Sequence, residues 1–209
     1  TGGDYYDFIE TYRDGQDGLA VVVGDVSGHG VSSALLMATA RALIMLRASM
    51  PGDAAGVITD VNRHLSLDTA QTGNFMTFFY CELTERVTKI RWVRAGHDPA
   101  VVYDPSMDAF DELKGQGVPL GFDDSIEYDS FQRSIEPGQV IVIGTDGIWE
   151  MHNNIGEMFG KEALMKIIRN NHTASARQIV DTVIEALKQF RGDEAPEDDI
   201  TLEVIKVGR

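Results

Sequence analysis

The sequence predicts an α+β protein in which an antiparallel β-sandwich is flanked by pairs of α-helices, giving α-β-β-α layers. The first two apolar segments are joined by a short polar turn, as in an antiparallel hairpin. The helical patterns come in adjacent pairs, whereas a parallel doubly wound sheet has helices that alternate with single strands. With 209 residues, 43% of them hydrophobic and 24% charged, the chain is expected to form one domain with a substantial core.

The first half of the chain is predicted to contain a hairpin, a helix pair and a second hairpin. Its strands cover residues 5–12, 19–25, 75–83 and 87–95, its helices 30–48 and 53–67, and its strand turns 13–18 and 84–86. Asp53 is the expected N-cap of the second helix. The first helix is predicted to bury one apolar face, formed at helical spacing by Val31, Leu35, Ala38, Ala42 and Met45 or Leu46.

The second half is predicted to contain further antiparallel strands and a second helix pair. Its strands cover residues 100–103, 126–135, 139–144 and 200–207, and its helices 158–170 and 175–190. Glu136-Pro137-Gly138 is predicted to join the strands 126–135 and 139–144 into an antiparallel pair. The polar stretch 104–117 is expected to be an exposed segment.

Charge and cysteine content exclude several classes of function. A net charge of −15 argues against an electrostatic hold on nucleic acid or anionic lipid, which needs clustered lysine and arginine. Cys81 is the only cysteine, so the chain has no intrachain disulfide and no cysteine-based zinc cluster. These features predict a cytoplasmic, reducing setting. No apolar run is expected to reach the length of a membrane span, so membrane insertion is not expected.

Five carboxylates lie at the ends of predicted strands. Asp25 and Asp146 each follow a buried strand in a glycine-containing turn, while Asp4 and the pair Asp198-Asp199 precede strands. Folding the first hairpin sets Asp4 opposite Asp25, and antiparallel pairing would bring all these positions to one edge of the core. Clustered carboxylates repel by about 4 kcal/mol per close pair at an effective dielectric near 20, unless cations neutralise them. The all-oxygen set predicts Mg²⁺ or Mn²⁺, although solvated aspartates in turns remain the alternative.

Six motifs, in order along nearly the whole chain, match one known family. They are GGDYYDF (2–8), GDVSGHGVSSAL (24–35), RAGHDPAVVY (94–103), GVPLG (117–121), TDGIWE (145–150) and EDDITLEVI (197–205). Together they resemble the SpoIIE/RsbU-type branch of the metal-dependent PPM serine/threonine phosphatases, relatives of protein phosphatase 2C. The resemblance implies an antiparallel sandwich with helix pairs. It also implies hydrolysis of phosphoserine or phosphothreonine with two Mn²⁺ or Mg²⁺ ions.

The resemblance implies a role for each of the acidic residues. Asp25 would bridge both ions, and the backbone carbonyl of Val26 would hold one of them. Asp146 and Asp198 would hold the other ion. Asp25, Asp146 and Asp198 are therefore the predicted catalytic residues, and no residue is expected to form a phospho-enzyme.

The resemblance implies supporting or alternative roles for four further residues. Asp199 would either support Asp198 or replace it as a ligand, and Asp4 resembles an outer carboxylate that holds water on the metal. His29 is a candidate general acid, with loop-shaping hydrogen bonds as the alternative, and Gly147 adjoins Asp146 as a further candidate. A histidine in the Ala-Gly-His motif, His97, is expected to be structural.

The resemblance also implies partners. The substrate would be a phosphorylated regulatory protein of bacterial signalling, a STAS-type anti-sigma-factor antagonist. The chain, residues 1–209, is expected to be the C-terminal part of a longer protein with an upstream sensor or receiver domain, and a homodimer is left open. The helix pair over residues 30–67 is expected to switch activity by moving the loop that carries Asp25.

Other functions are weighed against the phosphatase. A catalytically silent, partner-binding module with the same fold is the main alternative, although the aspartates of the motifs are present. Gly2-Gly3-Asp4 suggests a diguanylate cyclase, but Tyr5-Tyr6 stand where that motif needs Glu-Phe, and a βαβ order is missing. The glycines of residues 24–30 do not have the spacing of a P-loop.

Overall fold

The computed structural model describes residues 2–13, 16–84, 88–193 and 196–208. The central residues of two predicted turns, 14–15 and 85–86, lie outside the described residues. The described part contains nine strands in two antiparallel sheets and four helices, so the predicted α+β class is confirmed. The elements run in the order β1 (Asp4–Arg13), β2 (Gln16–Val26), α1 (Val31–Ala48), α2 (Ala54–Thr69), β3 (Met76–Thr84), β4 (Lys89–Ala95), β5 (Ala100–Asp104), β6 (Ala109–Leu113), β7 (Phe131–Ser134), β8 (Val140–Gly144), α3 (Gly160–Asn171), α4 (Ala176–Arg191) and β9 (Leu202–Lys206).

The chain divides into two compact units, and the first comprises Thr1–Pro99 and Lys114–Ile135. Its sheet has the order β1-β2-β3-β4-β7, with every neighbouring pair antiparallel. The helix pair α1–α2 packs against this sheet, because alternate strand residues such as Tyr5, Ile9 and Val22 share one buried cluster with Ile44 and Leu65 of the helices. As predicted, the side chain of Asp53 caps α2, accepting a hydrogen bond of 2.8 Å from the backbone N–H of Gly56.

The buried face of α1 differs from the predicted one. Leu36, Ala40 and Ile44 are buried, whereas Val31 and Leu35 of the predicted face are 74% and 64% exposed. The prediction is wrong because α1 is apolar on several sides, so its spacing alone cannot select the side that meets the sheet.

The apolarity of α1 also corrects the expectation about membrane spans. Its 18 residues have a mean hydropathy of 1.4, so by length and composition it is a helix that could cross a membrane, with 28% of that window buried. A single helix of this kind is weak evidence, since the core helices of soluble proteins and signal sequences meet the same criterion.

The second unit comprises Ala100–Leu113 and Glu136–Arg209. Its sheet has the order β6-β5-β8-β9, again antiparallel throughout. The apolar stripes of α3 and α4 meet this sheet in a second buried cluster, which contains Val140 and Val142 of β8 and Leu164 and Val183 of the helices. Helix α4 begins with a capping box, in which Ser175 accepts from the backbone N–H of Gln178 and the side chain of Gln178 accepts from that of Ser175.

Two strand predictions in the second half are wrong. Residues 126–135 do not pair with 139–144, because β7 covers only Phe131–Ser134 and pairs with β4, while β8 pairs with β5 and β9. The turn at Glu136-Pro137-Gly138 shows that the chain bends, and here it passes from the first unit to the second. The stretch 104–117 also contains a strand, β6, whose Leu113 is fully buried.

Candidate active site

The first group of predicted site residues lies at one end of the sheet in the first unit. Asp4 begins β1 and pairs directly with Asp25 near the end of β2, as the hairpin predicts. Both residues are half-buried. The backbone N–H of Val26 donates to the carbonyl oxygen of Gly3 at 3.1 Å, which fixes the two strand ends against each other. Two carboxylates and the backbone of Val26 therefore share one short stretch of the hairpin.

Gly3 lets the backbone pass close to these groups. A Cβ atom at this position would lie 2.7 Å from the carbonyl oxygen of Val26 and 2.9 Å from Oδ1 of Asp25, closer than real side chains approach. Only glycine therefore fits at this close approach to both oxygens. The donors gathered here are all oxygens, and this is the chemistry that Mg²⁺ and Mn²⁺ require.

The bend between β2 and α1 is held by serines. The backbone N–H of Ser27 donates to the carbonyl of Phe75 at 2.9 Å, and the Oγ of Ser27 accepts from the N–H of Phe75 at 3.0 Å. Ser33 adds a hydrogen bond of 3.3 Å to the carbonyl of Ser27. His29 is exposed in this bend. Ser27 is not predicted from the sequence, because its partner is 48 residues away and no local pattern marks it.

The second group lies at one end of the sheet in the second unit. Asp146 is half-buried just after the fully buried strand β8, while Asp198 and Asp199 precede β9. Gly144 pairs with Leu202, so the end of β8 lies beside the start of β9. These acidic residues are predicted to meet at one edge, and within this unit the topology agrees.

A buried pair of threonines fixes the two acidic segments to each other. The backbone N–H of Thr145 donates to the carbonyl of Thr201 at 3.1 Å, and the N–H of Thr201 donates to Oγ1 of Thr145 at 3.0 Å. Thr145 is 1% and Thr201 8% exposed. Thr145 directly precedes Asp146, and Thr201 follows Asp199 by two residues. The pair therefore sets the position of both acidic segments.

Gly147 is the tightest glycine position in this unit. A Cβ atom there would lie 2.0 Å from the carbonyl oxygen of Asp199 and 3.5 Å from Cβ of Asp198. The backbone after Asp146 thus packs directly on the Asp198-Asp199 segment. A cavity of about 140 Å³ opens beside it, lined by Gly147, Glu150, Met151, His152, Glu197 and Asp198.

The donor chemistry of both groups fits a hard divalent cation. Asp4, Asp25, Asp146, Asp198 and Asp199 offer carboxylate oxygens, and Val26 offers a backbone carbonyl. Within the described part of either unit, no three His, Cys, Asp or Glu side chains converge into a preformed metal cluster.

His97 belongs to the interior of the first unit. It is 3% exposed, and its Nδ1 lies 2.9 Å from Oγ1 of Thr77 on β3. The guanidinium of Arg94 donates to the carbonyl of His97 and to that of Gly115 at 3.1 Å. These contacts agree with the structural role that the sequence analysis expects for His97.

We expect Thr145→Val to destabilise the protein by about 1–3 kcal/mol, because the buried N–H of Thr201 loses its acceptor. The urea midpoint of unfolding measures this loss. Thr182→Val is the matched control, since the hydroxyl of Thr182 bonds only within an exposed turn of α4, to the carbonyl of Gln178 at 2.7 Å. That variant should change stability by less than about 0.5 kcal/mol. Equal effects of the two substitutions would contradict the proposed link between the acidic segments.

The chain is similar, in sequence and in fold, to proteins of one family. The family model described as Stage II sporulation protein E (SpoIIE) matches residues 15–208. The phosphoserine phosphatase RsbU of Bacillus subtilis is 26% identical over 204 residues, covering 98% of this chain and 59% of RsbU. The SiaA-PP2C domain of Pseudomonas aeruginosa superposes with a TM-score of 0.84 at 22% identity, covering 98% of this chain and 80% of that one. RsbX, solved in complex with magnesium, has a TM-score of 0.65 at 18% identity, covering 98% and 86%.

The fold is that of the PP2C type, as the superposition on the SiaA-PP2C domain shows. The chain belongs to the SpoIIE family, because the family model matches residues 15–208 of the chain. The branch of serine/threonine phosphatases that the sequence motifs indicate is thereby confirmed. The chain spans 59% of the length of RsbU and 35% of the length of protein IcfG of Synechocystis, a second curated relative.

Proposed function

We propose that the chain is a metal-dependent protein phosphatase that hydrolyses phosphoserine or phosphothreonine on a regulatory protein. One observation carries the proposal. In each unit a half-buried aspartate, Asp25 or Asp146, stands at the end of a strand while a glycine backbone, at Gly3 or Gly147, packs against the acidic segment. A surface of closely spaced carboxylate and carbonyl oxygens suits a cation, and a bound cation would in turn attract a phosphate. Without a cation, the repulsion between the carboxylates makes such a surface costly to maintain.

We assign the metal-binding roles to the residues of both groups. Asp25 and the carbonyl of Val26 would bind metal in the first unit, with Asp4 as an outer carboxylate. Asp146 and Asp198 would bind metal in the second unit, with Asp199 as the alternative to Asp198. When bound, Mn²⁺ or Mg²⁺ would neutralise phosphate charge and acidify water. The magnesium complex of RsbX supports this choice of cation. The number of ions, two, is proposed from the family resemblance.

The remaining site residues would position the carboxylates or protonate the leaving group. Gly147 keeps the Asp146 turn in contact with Asp199, so the chain holds these carboxylates without strain. His29, exposed in the bend after Asp25, is available to protonate a leaving group, and shaping the bend remains its alternative role.

We further propose the biological setting from the relatives. RsbU is named a phosphoserine phosphatase, which supports a phosphoserine protein as the substrate. The family resemblance suggests a phosphorylated STAS-type anti-sigma-factor antagonist as that protein. The chain would belong to a longer, cytoplasmic protein, in which an upstream sensor or receiver domain regulates its activity. Dimerisation would be a second way to regulate that activity. Helix α1 begins six residues after Asp25, so movement of α1 and α2 would shift the Asp25 bend.

Hydrolysis of p-nitrophenyl phosphate tests the phosphatase and its metal dependence. We expect turnover with Mn²⁺ or Mg²⁺ and its loss in EDTA, because the carboxylates alone supply neither positive charge nor an acidified water. Restoring the cation after EDTA should restore turnover, which controls for irreversible unfolding. Manganese binding by calorimetry without turnover would indicate a domain that lacks its regulator. Neither binding nor turnover would favour the silent partner-binding module.

A further inference from the structure

The segment that follows Asp146 forms an ordered turn with an apolar tip. Residues 152–158, called here the Asn153 turn, fold back so that His152 and Met158 form an antiparallel bridge. Two backbone hydrogen bonds of 2.9 Å close its base, from Phe159 to Met151 and from Gly160 to Trp149. The turn is thus anchored to the segment that leads out of Asp146.

Asn153 organises the inside of this turn. Its Oδ1 accepts from the backbone N–H of Ile155 at 3.1 Å and from that of Glu157 at 2.9 Å. Its Nδ2 donates to the carboxylate of Glu157 at 3.0 Å, and its backbone carbonyl accepts from Gly156 at 3.0 Å. These bonds fix the backbone of the tip in one conformation.

The Asn153 turn presents two apolar side chains to solvent, Ile155 at its tip and Met158 at its base. Ile155 is 73% exposed and Met158 53% exposed. Scattered exposed apolar residues are ordinary, but here several side-chain and backbone hydrogen bonds hold them in a fixed place. Such an arrangement lowers the entropy lost when a partner binds, because the contact residues are already ordered.

The turn stands beside the acidic group of the second unit. Nδ1 of His152 lies 3.0 Å from Oε2 of Glu197, and both residues line the 140 Å³ cavity together with Asp198 and Gly147. Met158, bridged to His152, has its Cα within about 5.5 Å of that residue's Cα. Ile155 is three residues from His152 and therefore at most about 11 Å from it.

We propose that the Asn153 turn is a docking element for the phosphoprotein substrate, an inference that rests on the proposed phosphatase function. Its occupant is the chain segment next to the phosphoserine, and Ile155 and Met158 contact an apolar side chain of that segment. An extended substrate advances 3.3–3.6 Å per residue, so the distance of at most about 11 Å between Ile155 and His152 corresponds to about three residues of substrate. The flanking carboxylates of Glu150 and Glu197 disfavour acidic neighbours.

Synthetic phosphoserine peptides test the proposal on the 209-residue chain. One series has only serine and glycine around the phosphoserine, and the others carry a single leucine at each position up to about four residues away. We expect leucine at the best position to raise kcat/KM by about 10-fold through KM, since one buried leucine contributes about that factor. Ile155→Ser should remove this preference, and Ile155→Val should keep it.

The matched control is Met107→Ser, because Met107 is 76% exposed in the same unit but belongs to the connection between β5 and β6. It should keep the leucine preference. A preference that survives in both Ile155→Ser and Met158→Ser would overturn the docking proposal, as would equal hydrolysis of all peptides by the unmodified chain. Failure to hydrolyse the peptides and p-nitrophenyl phosphate, together with no binding of manganese, would overturn the proposed function itself, and the docking element with it.

Discussion

Asp146→Asn is expected to lower hydrolysis of p-nitrophenyl phosphate by more than about 100-fold while the protein remains folded. Residues that only support a metal ligand typically contribute 10–100-fold, so loss of a direct ligand charge should cost more. Asparagine has nearly the same shape as aspartate, and the backbone of Asp146 keeps its own bond, accepting from the N–H of Glu150 at 2.8 Å. The substitution therefore removes the negative charge of Asp146 and leaves the backbone after β8 in place.

Activity in saturating Mn²⁺ and manganese affinity by calorimetry together measure this effect. Asp181→Asn is the matched control, since Asp181 is exposed on α4 and pairs only with Arg177 one turn earlier, at 3.5 Å. It should leave turnover unchanged, because exposed pairs of this kind contribute little. Retention of full activity and metal affinity in Asp146→Asn would remove Asp146 from the metal-binding residues.

The parts of the site that the sequence predicts are those determined by neighbours along the chain. Asp4 and Asp25 meet because one short turn forces the two strands to pair, and this register follows from the hairpin alone. Asp146 and the Asp198 segment likewise flank strands whose ends pair at Gly144 and Leu202. The metal-binding roles of these aspartates are implied by the family's motifs, because no local pattern shows what an aspartate binds.

Other features could not be predicted because they depend on contacts between distant residues. The Thr145–Thr201 pair and the Ser27–Phe75 pair join positions far apart in the chain, and threonine and serine are common in any loop. The pairing of β7 with β4 also joins residues far apart in the chain, such as Phe131 and Trp92. Helix α1 is apolar on several sides, so the choice of its buried face depends on the sheet that it covers.

Gly147→Ala is expected to reduce both stability and activity, which separates it from Asp146→Asn. The new Cβ would lie 2.0 Å from the carbonyl oxygen of Asp199, an approach that only a backbone shift can relieve. Overpacking of this kind costs about 1–3 kcal/mol. The same shift displaces Asp198 and Asp199, and misplacement of site groups by about 1 Å can lower turnover about 100-fold.

Gly117→Ala supplies the control, because Gly117 has open space around its Cβ position. A glycine-to-alanine change that causes no strain stabilises a protein by about 0.4–1 kcal/mol through the unfolded chain, so this variant should unfold at the same or higher urea concentration. Gly147→Ala should unfold earlier and show weaker manganese binding. If instead it behaves like Gly117→Ala in unfolding, metal binding and turnover, the close contact between the Asp146 turn and Asp199 does not govern the site. The position of Asp198 would then have to be set by the Thr145–Thr201 pair alone.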